Sequence, residues 1–426
     1  MSRPSLDDRR AHRRVVITGL GVISPVGNDV DTTWESLLGG VSGCGPITQF
    51  ETTDEFATRL AAEVKDFDPG SFLDPKEARR FDRYSQFALG AADEAMRHAG
   101  LDNGSPVPPE RFGVIFGSGI GGIHTLEEQH RVLMDKGPRR VSPFFIPMFI
   151  PDIAAGLISI RFGAQGPNYA TVSACASSAH AVGNAAGYIA RGIADVMIAG
   201  GAEATITPLT VAGFASMKAM STRNDEPETA SRPFCATRDG FVIGEGAGAV
   251  VMESLDHALA RGADILAEMV GYGLSADAHH ITSPAPEGIG AQLAMRRALE
   301  QAGAEPGDVD YINAHGTSTP ANDTNETAAI KAVLGDAAYE CVVGSTKSMT
   351  GHLLGAAGGV EAVVCALVCS EGVIPPTINF HESDATCDLD YAHLGMVKRP
   401  VGLALSNSFG FGGHNVCLAM RRWDGE

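Results

Sequence analysis

The chain has 426 residues, of which 44% are hydrophobic and 19% charged, and its formal net charge at pH 7 is −19. Its length and apolar content suffice for a large core. The net charge excludes a general nucleic-acid binder, which needs a basic face, and the apolar runs are too short to predict membrane insertion.

The predicted elements begin after a polar start. Residues 1–14 lack an apolar segment, so we predict no secretory signal and a disordered tail. From Val15 onward, short apolar runs alternate with Ala-rich helical stretches such as RYSQFALGAADEAMRHAG and GAQLAMRRALEQAG. The predicted strands lie in RRVVITGLGVIS, RFGVIFGSG, ADVMIAGGAE, GAGAVVMES, ILAEMVGYGLS, VDYINAHGTS, CVVGSTKS and VGLALSNSFG. This alternation predicts an α/β fold with mainly parallel sheets covered on both faces.

Two segments of the chain resemble each other. Aligning SACASSAHAVGNAAG with STKSMTGHLLGAAGG sets Cys175 opposite Lys347 and His180 opposite His352. Short Gly/Ala-rich strings also match by chance, so the alignment leaves duplication and coincidence open. A duplicated α/β unit would bring its two equivalent strand-to-helix corners together near a pseudo-twofold axis.

Four positions in these runs carry reactive or ionisable side chains. Cys175, at a strand-to-helix corner, would lie near helix N–H groups that stabilise a thiolate and hold an oxyanion; the alternative is an inert buried thiol. His315 follows the apolar run VDYI, where α/β sheets place ligand groups, although a structural histidine is equally compatible. Lys347 and His352 lie within GSTKSMTGHLLGAAGG.

The cysteines and the other short motifs give no evidence of a metal or cofactor site. The eight cysteines are scattered without a CxxC pair, which favours reduced thiols in a cytoplasm over disulfides or a zinc site. GSGIGG is a weak dinucleotide pattern, His279 and His280 lack a third metal ligand, and NDTNE is only part of a calcium loop. We therefore predict no metal and no redox cofactor.

Taken together, four blocks are far more specific than any one of them. VSACASSAH, NAHGTSTP, STKSMTGHLLGAAGG and NSFGFGGHN occur in this order, with TGLGVISPVG, MSTRND and RDGFVIGEGAG around them. The set resembles the β-ketoacyl-acyl-carrier-protein synthases from about Val15 to the C-terminus. The resemblance implies a thiolase-like fold of five layers, αβαβα, with halves 15–262 and 263–426, and a homodimer.

The resemblance also implies catalytic roles. Cys175 would accept the acyl chain as a thioester. His315 and His352 would donate hydrogen bonds to the enolate that forms when malonyl-carrier protein loses carbon dioxide. Lys347 would supply positive charge and be held by Glu361.

Substrate-contacting positions follow from the same resemblance. The backbone N–H groups of Cys175 and Phe409 would form the oxyanion hole, and Phe409 would act as an aromatic gate, which the glycines around Phe409 and Phe411 would allow to move. The alternative for that segment is a glycine-rich turn. Thr317 and Thr319 would meet the phosphopantetheine arm, which arrives on the carrier, so no other cofactor is expected.

Several residues point to a subtype. By the same resemblance, the initiating enzymes have Asn at the position of His352. Non-catalytic chain-length factors lack the nucleophilic cysteine, which is present here as Cys175. Ile120 and Phe214 would line the acyl tunnel, and an aliphatic Ile120 leaves room for long chains, as in synthase II. We therefore expect a cytoplasmic, elongating enzyme of fatty-acid synthesis. A ketosynthase of a specialised polyketide pathway remains the alternative, and a non-catalytic partner is disfavoured by the complete Cys/His/His set.

The carrier protein is acidic, so this acidic chain needs a local basic patch to bind it. Solvated surface is the alternative interpretation of these basic side chains. The candidates are Arg79, Arg80, Arg139, Arg140 and Lys218.

Overall fold

The computed structural model describes residues 13–102 and 107–425. Residues 1–12 of the predicted tail lie outside the described residues. Its last two residues are fixed by ion pairs: Arg13 bonds Asp195 at 2.6 Å between Nη1 and Oδ1. Arg14 bonds Glu268 at 2.7 Å between Nε and Oε1. The tail prediction is therefore wrong for Arg13 and Arg14.

Every predicted strand forms at the expected place in the chain. The strands are β1 Val15–Ile23, β2 Cys44–Pro46, β3 Leu60–Ala62, β4 Phe112–Gly117, β5 Asn168–Tyr169, β6 Val196–Glu203, β7 Gly246–Ser254, β8 Ala267–Ala276, β9 Tyr311–Asn313, β10 Val342–Gly344, β11 Val373–Ile374, β12 Val397–Lys398, β13 Leu403–Gly410 and β14 His414–Arg422.

Both helices predicted from three- and four-residue periodicity also form, as α3 and α10. The α-helices are α1 Val30–Leu38, α2 Pro75–Ala78, α3 Arg83–His98, α4 Ile123–Lys136, α5 Phe145–Phe149, α6 Ile153–Phe162, α7 Ser177–Ala190, α8 Pro208–Ser216, α9 Leu255–Arg261, α10 Ile289–Ala302, α11 Pro320–Leu334, α12 Lys347–Thr350 and α13 Ala357–Glu371.

The main sheet is mixed. Its strand order is β10-β9-β13-β14-β8-β1-β7-β6-β4-β5. The two outer pairs at each end are parallel, and all pairs between them are antiparallel. The prediction of mainly parallel sheets is therefore wrong at the centre of the sheet. There, β7 runs antiparallel to both of its neighbours, β1 and β6, and β14 runs antiparallel to β8 and β13.

The sheet order contains a repeat. Reading outward from the centre, β1-β7-β6-β4-β5 and β8-β14-β13-β9-β10 use the strands of each half in the same sequence. β1 and β8 join the halves through two residue pairs, Val16 with Glu268 and Ile17 with Ala267. The structure thus supports duplication over a chance match.

The residue-by-residue alignment of the two corners does not hold. α7 begins two residues after Cys175, at Ser177, whereas α12 and a short 3-10 turn separate Lys347 from the start of α13 at Ala357. The repeat therefore equates α7 with α13 as helices, and the second half carries an insertion before its helix.

Helices cover the sheet in layers. α3 and α6 pack on the outer face of the first half, α10 on the outer face of the second with α11 against it, and α7 and α13 lie between the halves. The close approach of α13 to β7 needs glycine, because a Cβ at Gly248 would lie 2.2 Å from the Val360 nitrogen. The predicted five-layered α/β architecture is confirmed.

The central helix is unusually apolar. The segment Leu354–Glu371 is long and apolar enough to cross a membrane by length and composition, with a mean hydropathy of 1.5, but 89% of it is buried inside the fold. Its apolar side chains contact both half-sheets. The segment is the core helix of this fold.

Candidate active site

Cys175 lies in the short loop between β5 and α7. The preceding Ala174 has a φ of 50°, a left-handed conformation that is uncommon for a non-glycine residue. Ser177 holds this turn, since its Oγ accepts the Ser173 N–H at 2.9 Å and donates to the Ala174 carbonyl at 2.7 Å. The thiol is thereby presented at the start of α7, as predicted.

The surroundings of the sulfur have opposing effects on its ionisation. Burial raises the pKa of Cys175 to about 12, and the ammonium of Lys347 acts against that rise. The backbone N–H groups of Phe411 and of Cys175 itself point at the sulfur and also lower its pKa. Burial has the largest effect, so the pKa of the thiol lies above its ordinary value in spite of the N–H groups at the start of α7.

The two predicted histidines meet at the thiol. His352 Nε2 lies 3.0 Å from Cys175 Sγ, and the rings of His315 and His352 are 5.2 Å apart and nearly perpendicular. Both residues are buried, at 4% and 3% exposed. Burial first, and Lys347 second, hold the pKa of each histidine well below its ordinary value. Both imidazoles are therefore neutral, and each carries one N–H to donate.

Lys347 and Glu361 form a buried ion pair behind this group. The lysine Nζ bonds Glu361 Oε1, and both side chains are 3% exposed. Burial raises the pKa of Glu361, and the neighbouring ammonium of Lys347 opposes that rise. The predicted partnership of the two residues is present in the structure.

The glycine-rich segment between β13 and β14 approaches the nucleophile closely. A Cβ at Gly410 would lie 2.7 Å from the Ser173 carbonyl oxygen and 3.2 Å from the Cys175 nitrogen. The N–H group at the sulfur belongs to Phe411 rather than to the predicted Phe409. Phe409 lies two residues earlier in β13, and its ring centroid is 5.7 Å from that of His315. The assignment of Phe409 to the oxyanion hole therefore does not fit the geometry.

A cavity of ≈ 390 Å³ opens onto Cys175 and both histidines. This volume falls in the range of small-molecule sites. Thr317 and Thr319 line it, with 3.0 Å between their hydroxyl oxygens, and so does Phe214. Ile120 packs in the apolar cluster that contains Cys175 and Phe214. The structure thus brings Phe214, Thr317 and Thr319 to one cavity, whereas Ile120 does not line it and packs only in the neighbouring apolar cluster.

The sequence analysis did not predict the role of Glu326, a buried carboxylate at the cavity. Glu326 is 1% exposed and accepts the backbone N–H groups of His315 and Gly316, each at 2.8 Å. It also accepts from Asn407 Nδ2 at 3.1 Å, and burial raises its pKa to about 7. Glu326 therefore fixes the backbone that carries His315. It ends the stretch NDTNE, which resembles part of a calcium loop but lies here within α11.

The predicted basic patch is only partly brought together. Arg80 stacks on the ring of Phe144 at 4.9 Å, which links the end of α2 to the segment that follows Arg139 and Arg140. Arg79 is exposed beside Arg80, and Lys218 is exposed where it lines the cavity. The arginines therefore lie in two neighbouring segments, and Lys218 belongs to the cavity mouth.

The other short motifs have structural explanations. In GSGIGG, the N–H groups of Gly119 and Ile120 bind the carboxylate of Glu203, so they are not free for a phosphate. GAGAVVMES forms β7, as predicted. Across residues 13–102 and 107–425, no group of three His, Cys, Asp or Glu residues could hold a metal ion.

Comparisons with known proteins identify the family of the chain. The family models "Beta-ketoacyl synthase, N-terminal domain" and "Beta-ketoacyl synthase, C-terminal domain" match residues 12–258 and 266–381. The chain belongs to the β-ketoacyl synthase family, as its motifs predicted.

Within this family, the chain is similar to proteins described as synthase 2. The 3-oxoacyl-[acyl-carrier-protein] synthase 2 of Synechocystis is 53% identical over 411 residues, covering 96% of this chain and 98% of the relative. The protein of the same description from Staphylococcus aureus is 54% identical over 413 residues, covering 97% and 99%.

Solved structures share the fold. The ishigamide ketosynthase/chain length factor matches with a TM-score of 0.89 and 37% identity, covering 97% of this chain and 100% of that one. A type II PKS acyl-carrier protein in complex with its ketosynthase matches with a TM-score of 0.90 and 36% identity, with the same coverage. A β-ketoacyl synthase from Burkholderia phymatum matches at 0.89 and 35%, covering 96% and 100%.

Proposed function

We propose that this chain is a β-ketoacyl-acyl-carrier-protein synthase of the synthase II type, which lengthens acyl chains in fatty-acid synthesis. The observation that carries the proposal is the 3.0 Å contact between Cys175 Sγ and His352 Nε2, with His315 alongside, at a cavity of ≈ 390 Å³. The identity of 53–54% with synthase 2 relatives over nearly the whole chain supports it.

The first step is acyl transfer to Cys175. The sulfur attacks the carbonyl of the acyl-carrier thioester, the new C–S bond forms, and the carrier leaves as a thiol with the proton that Cys175 gives up. The backbone N–H groups of Cys175 and Phe411 lie at the sulfur, and we assign the oxyanion hole to them. His352 Nε2 is within reach of the departing proton.

The second step joins the two carbon chains. Malonyl-carrier protein loses carbon dioxide, and the two electrons of the broken C–C bond form an enolate at the thioester. The neutral imidazoles of His315 and His352 donate hydrogen bonds to the negatively charged enolate oxygen. The enolate carbon attacks the acyl-Cys175 carbonyl, the C–S bond breaks, and the sulfur takes up one proton.

The buried ion pair has an electrostatic role in this scheme. Lys347 lowers the pKa of Cys175 and of both histidines, so its charge favours the thiolate and the neutral imidazoles together. Glu361 holds the ammonium in position. Burial has the larger effect on each of these pKa values; the charge of Lys347 adds to the lowering at the histidines and opposes the rise at the thiol.

Carrier protein is the proposed partner, and its phosphopantetheine arm is the only prosthetic group that we invoke. Thr317 and Thr319 line the cavity and suit the amide-bearing arm, because hydroxyl groups both donate and accept hydrogen bonds. The exposed arginines near Phe144 suit an acidic partner. The structural relative bound to its acyl-carrier protein supports this partner class.

We also propose a homodimer. β5 ends the sheet of the single chain, so its outer edge can pair with a second copy. Exposed apolar side chains lie on the segments near that edge, with exposed fractions of 56% for Ile146, 80% for Ile160 and 60% for Val172. Sedimentation of wild type and Ile160→Lys tests this, because a dimer should weaken in the variant.

A cytoplasmic location is the proposal that fits the cysteines. All eight are free and buried, including Cys175. Reduced thiols persist in a cytoplasm, whereas oxidising compartments favour disulfides.

The rival function is condensation in a specialised polyketide pathway. Ketosynthases of that kind are among the structural relatives, at 36–37% identity, below the 53–54% of the synthase 2 relatives. Intact-protein mass spectrometry separates the two. The chain is mixed with saturated acyl-carrier proteins of several lengths and then chased with malonyl-carrier protein.

The proposed function predicts an acyl adduct on Cys175 that the chase releases as a β-ketoacyl product. If no saturated acyl carrier forms an adduct, fatty-acid elongation is wrong and the specialised pathway becomes the better assignment. An adduct that survives the chase would contradict the roles of His315 and His352.

A further inference from the structure

Glu203 is a buried carboxylate for which the mechanism above has no use. It ends β6 and is 0% exposed. Oε1 accepts the Ser118 hydroxyl at 3.0 Å and the Ile120 N–H at 3.2 Å. Oε2 accepts the N–H groups of Gly119 at 2.7 Å and Gly355 at 3.0 Å. Every partner is a donor, so both oxygens serve as acceptors.

These donors come from different halves of the protein. Ser118, Gly119 and Ile120 follow β4 in the first half, while Gly355 belongs to the turn between His352 and α13 in the second. The segments touch at the carboxylate, because a Cβ at Gly355 would lie 2.2 Å from the Gly119 nitrogen and 2.5 Å from Glu203 Oε2. The carboxylate therefore links the two halves beside the catalytic thiol.

The side chain of Ile120 gives this link a consequence for substrates. Ile120 packs in one apolar cluster with Cys175 and Leu354, and Leu354 lines the cavity. The Ile120 N–H is one of the four groups that Glu203 holds. A shift of this turn would therefore move Ile120 within the cluster that packs around Leu354 and the sulfur that carries the acyl chain.

We propose that Glu203 is a positioning residue for acyl-chain specificity: it fixes Ile120 against Cys175 and thereby sets which chain lengths acylate the thiol. The inference rests on the proposed condensing function, because it concerns the substrate of that same site. It assigns no contact between Glu203 and the substrate.

Glu94 provides a matched comparison. It lies on α3 and also binds backbone N–H groups, those of Val22 at 2.8 Å and Val30 at 2.7 Å. Burial raises the pKa of both Glu94 and Glu203 to about 7. The partners of Glu94, Val22 and Val30, belong to a different apolar cluster from Cys175 and Ile120, so Glu94 represents a buried carboxylate with a structural role alone.

Glu203→Gln separates the two roles by hydrogen-bond geometry. The amide oxygen can replace only one carboxylate oxygen, and placing it at Oε2 keeps the Gly119 and Gly355 bonds. The amide nitrogen then faces the Ser118 hydroxyl, which can rotate to accept, and the Ile120 N–H, which cannot. The substitution thus leaves the Ile120 N–H without an acceptor.

The experiment measures Cys175 acylation by intact-protein mass spectrometry with a short and a long saturated acyl-carrier protein. In Glu203→Gln, the ratio of long- to short-chain acylation rates should change by at least about fivefold, the lower end of the penalty for a buried unpaired donor. In Glu94→Gln, the ratio should stay within about twofold of wild type even if the protein is less stable. A wild-type ratio in a folded Glu203→Gln protein would overturn the proposal.

A milder variant decides the matter if Glu203→Gln does not fold. Ser118→Ala removes one bond to Oε1 and the acceptor of the Gly121 N–H at 3.0 Å, and leaves the carboxylate in place. A ratio shifted in either direction beyond that of Glu94→Gln supports the proposal, and a wild-type ratio overturns it. Absence of any wild-type adduct would instead refute the proposed function, and this inference with it.

Discussion

The two strand-to-helix corners of the repeat occupy equivalent places and perform different chemistry. In the first half, β5 leads to α7 through a short loop that presents Cys175. In the second half, β10 leads to α13 through α12, which begins at Lys347, a short link that contains His352, and a 3-10 turn. The insertion places His352 Nε2 within 3.0 Å of the sulfur from the other corner.

This difference explains how a duplicated scaffold divides one reaction. One corner supplies the nucleophile, and the other supplies a positive charge and one of the two hydrogen-bond donors. The second donor, His315, follows β9 and therefore also belongs to the second half. Each half alone is consequently an incomplete site.

The largest effect is expected from removing the nucleophile. Cys175→Ala should show no acyl adduct and lose condensation by at least about four orders of magnitude, because the covalent step disappears. Mass spectrometry and product formation measure both. Cys365→Ala is the control, since Cys365 is buried on α13 away from the cavity; a wild-type adduct is expected there. Residual adduct on Cys175→Ala would show that another residue is the nucleophile.

The next effect comes from the charge in the second corner. Lys347→Met leaves Glu361 buried and unpaired, so the free energy of unfolding should fall by about 3–5 kcal/mol, as measured by urea denaturation. Lys347→Met combined with Glu361→Leu should recover stability to within about 1–2 kcal/mol of wild type without recovering activity. An active double variant would contradict the proposed role of the charge.

The pH dependence should distinguish the two corners. Because the pKa of Cys175 is raised to about 12, its thiolate fraction and the acylation rate should rise from about pH 7 to about pH 9. Because the pKa values of His315 and His352 are lowered, the malonyl chase should stay constant down to about pH 6.5.

The same histidines give a stability prediction. Their folded pKa values lie below the unfolded value, so the unfolded chain binds more protons under acidic conditions. Their contribution to stability is present above about pH 6.5 and is lost below it, as urea titrations at several pH values can measure. The rate of the malonyl chase provides the contrary outcome: if it already falls above about pH 6.5, a histidine is protonated in the folded site.

A smaller effect is expected at the loop that spans the corners. Gly410→Ala places a Cβ against the Ser173 carbonyl, which should move the Phe411 N–H from the sulfur and slow acylation by about tenfold. Gly307→Ala has nothing within 4 Å and serves as the control. Equal acylation rates in the two variants would remove the Phe411 N–H from the mechanism.

The smallest effect concerns the surface outside both corners. Arg139→Glu and Arg140→Glu should each raise KM for the carrier protein by about three- to tenfold at low salt, with kcat unchanged. Lys398→Glu changes the net charge equally at an exposed position in β12. If Lys398→Glu raises KM as much as Arg139→Glu and Arg140→Glu do, the change in KM comes from net charge, and the local basic patch is wrong.

Local patterns predicted much of this fold, and contacts between distant segments account for what was missed. Apolar runs indicate the strands that lead to Cys175 and His315, but their pairing direction depends on the return paths of β7 and β14. NSFGFGGHN contains two phenylalanines two residues apart, and only the folded loop, which brings the Phe411 N–H to the Cys175 sulfur, distinguishes Phe411 from Phe409. No motif predicted the roles of Glu203 and Glu326, since most of their partners are backbone N–H groups that folding brings to them.

The junction of β1 with β8 has a consequence for synthesis on the ribosome. The first half emerges with the β1 edge unpaired at Val16 and Ile17 and with α7 lacking its neighbour, because β8 and α13 are encoded later in the chain. Apolar surface and an unpaired strand edge are then exposed together, which is the condition under which nascent chains aggregate or engage chaperones. A polypeptide released after Gly262 should therefore need a chaperone to stay dispersed, while the complete chain should not.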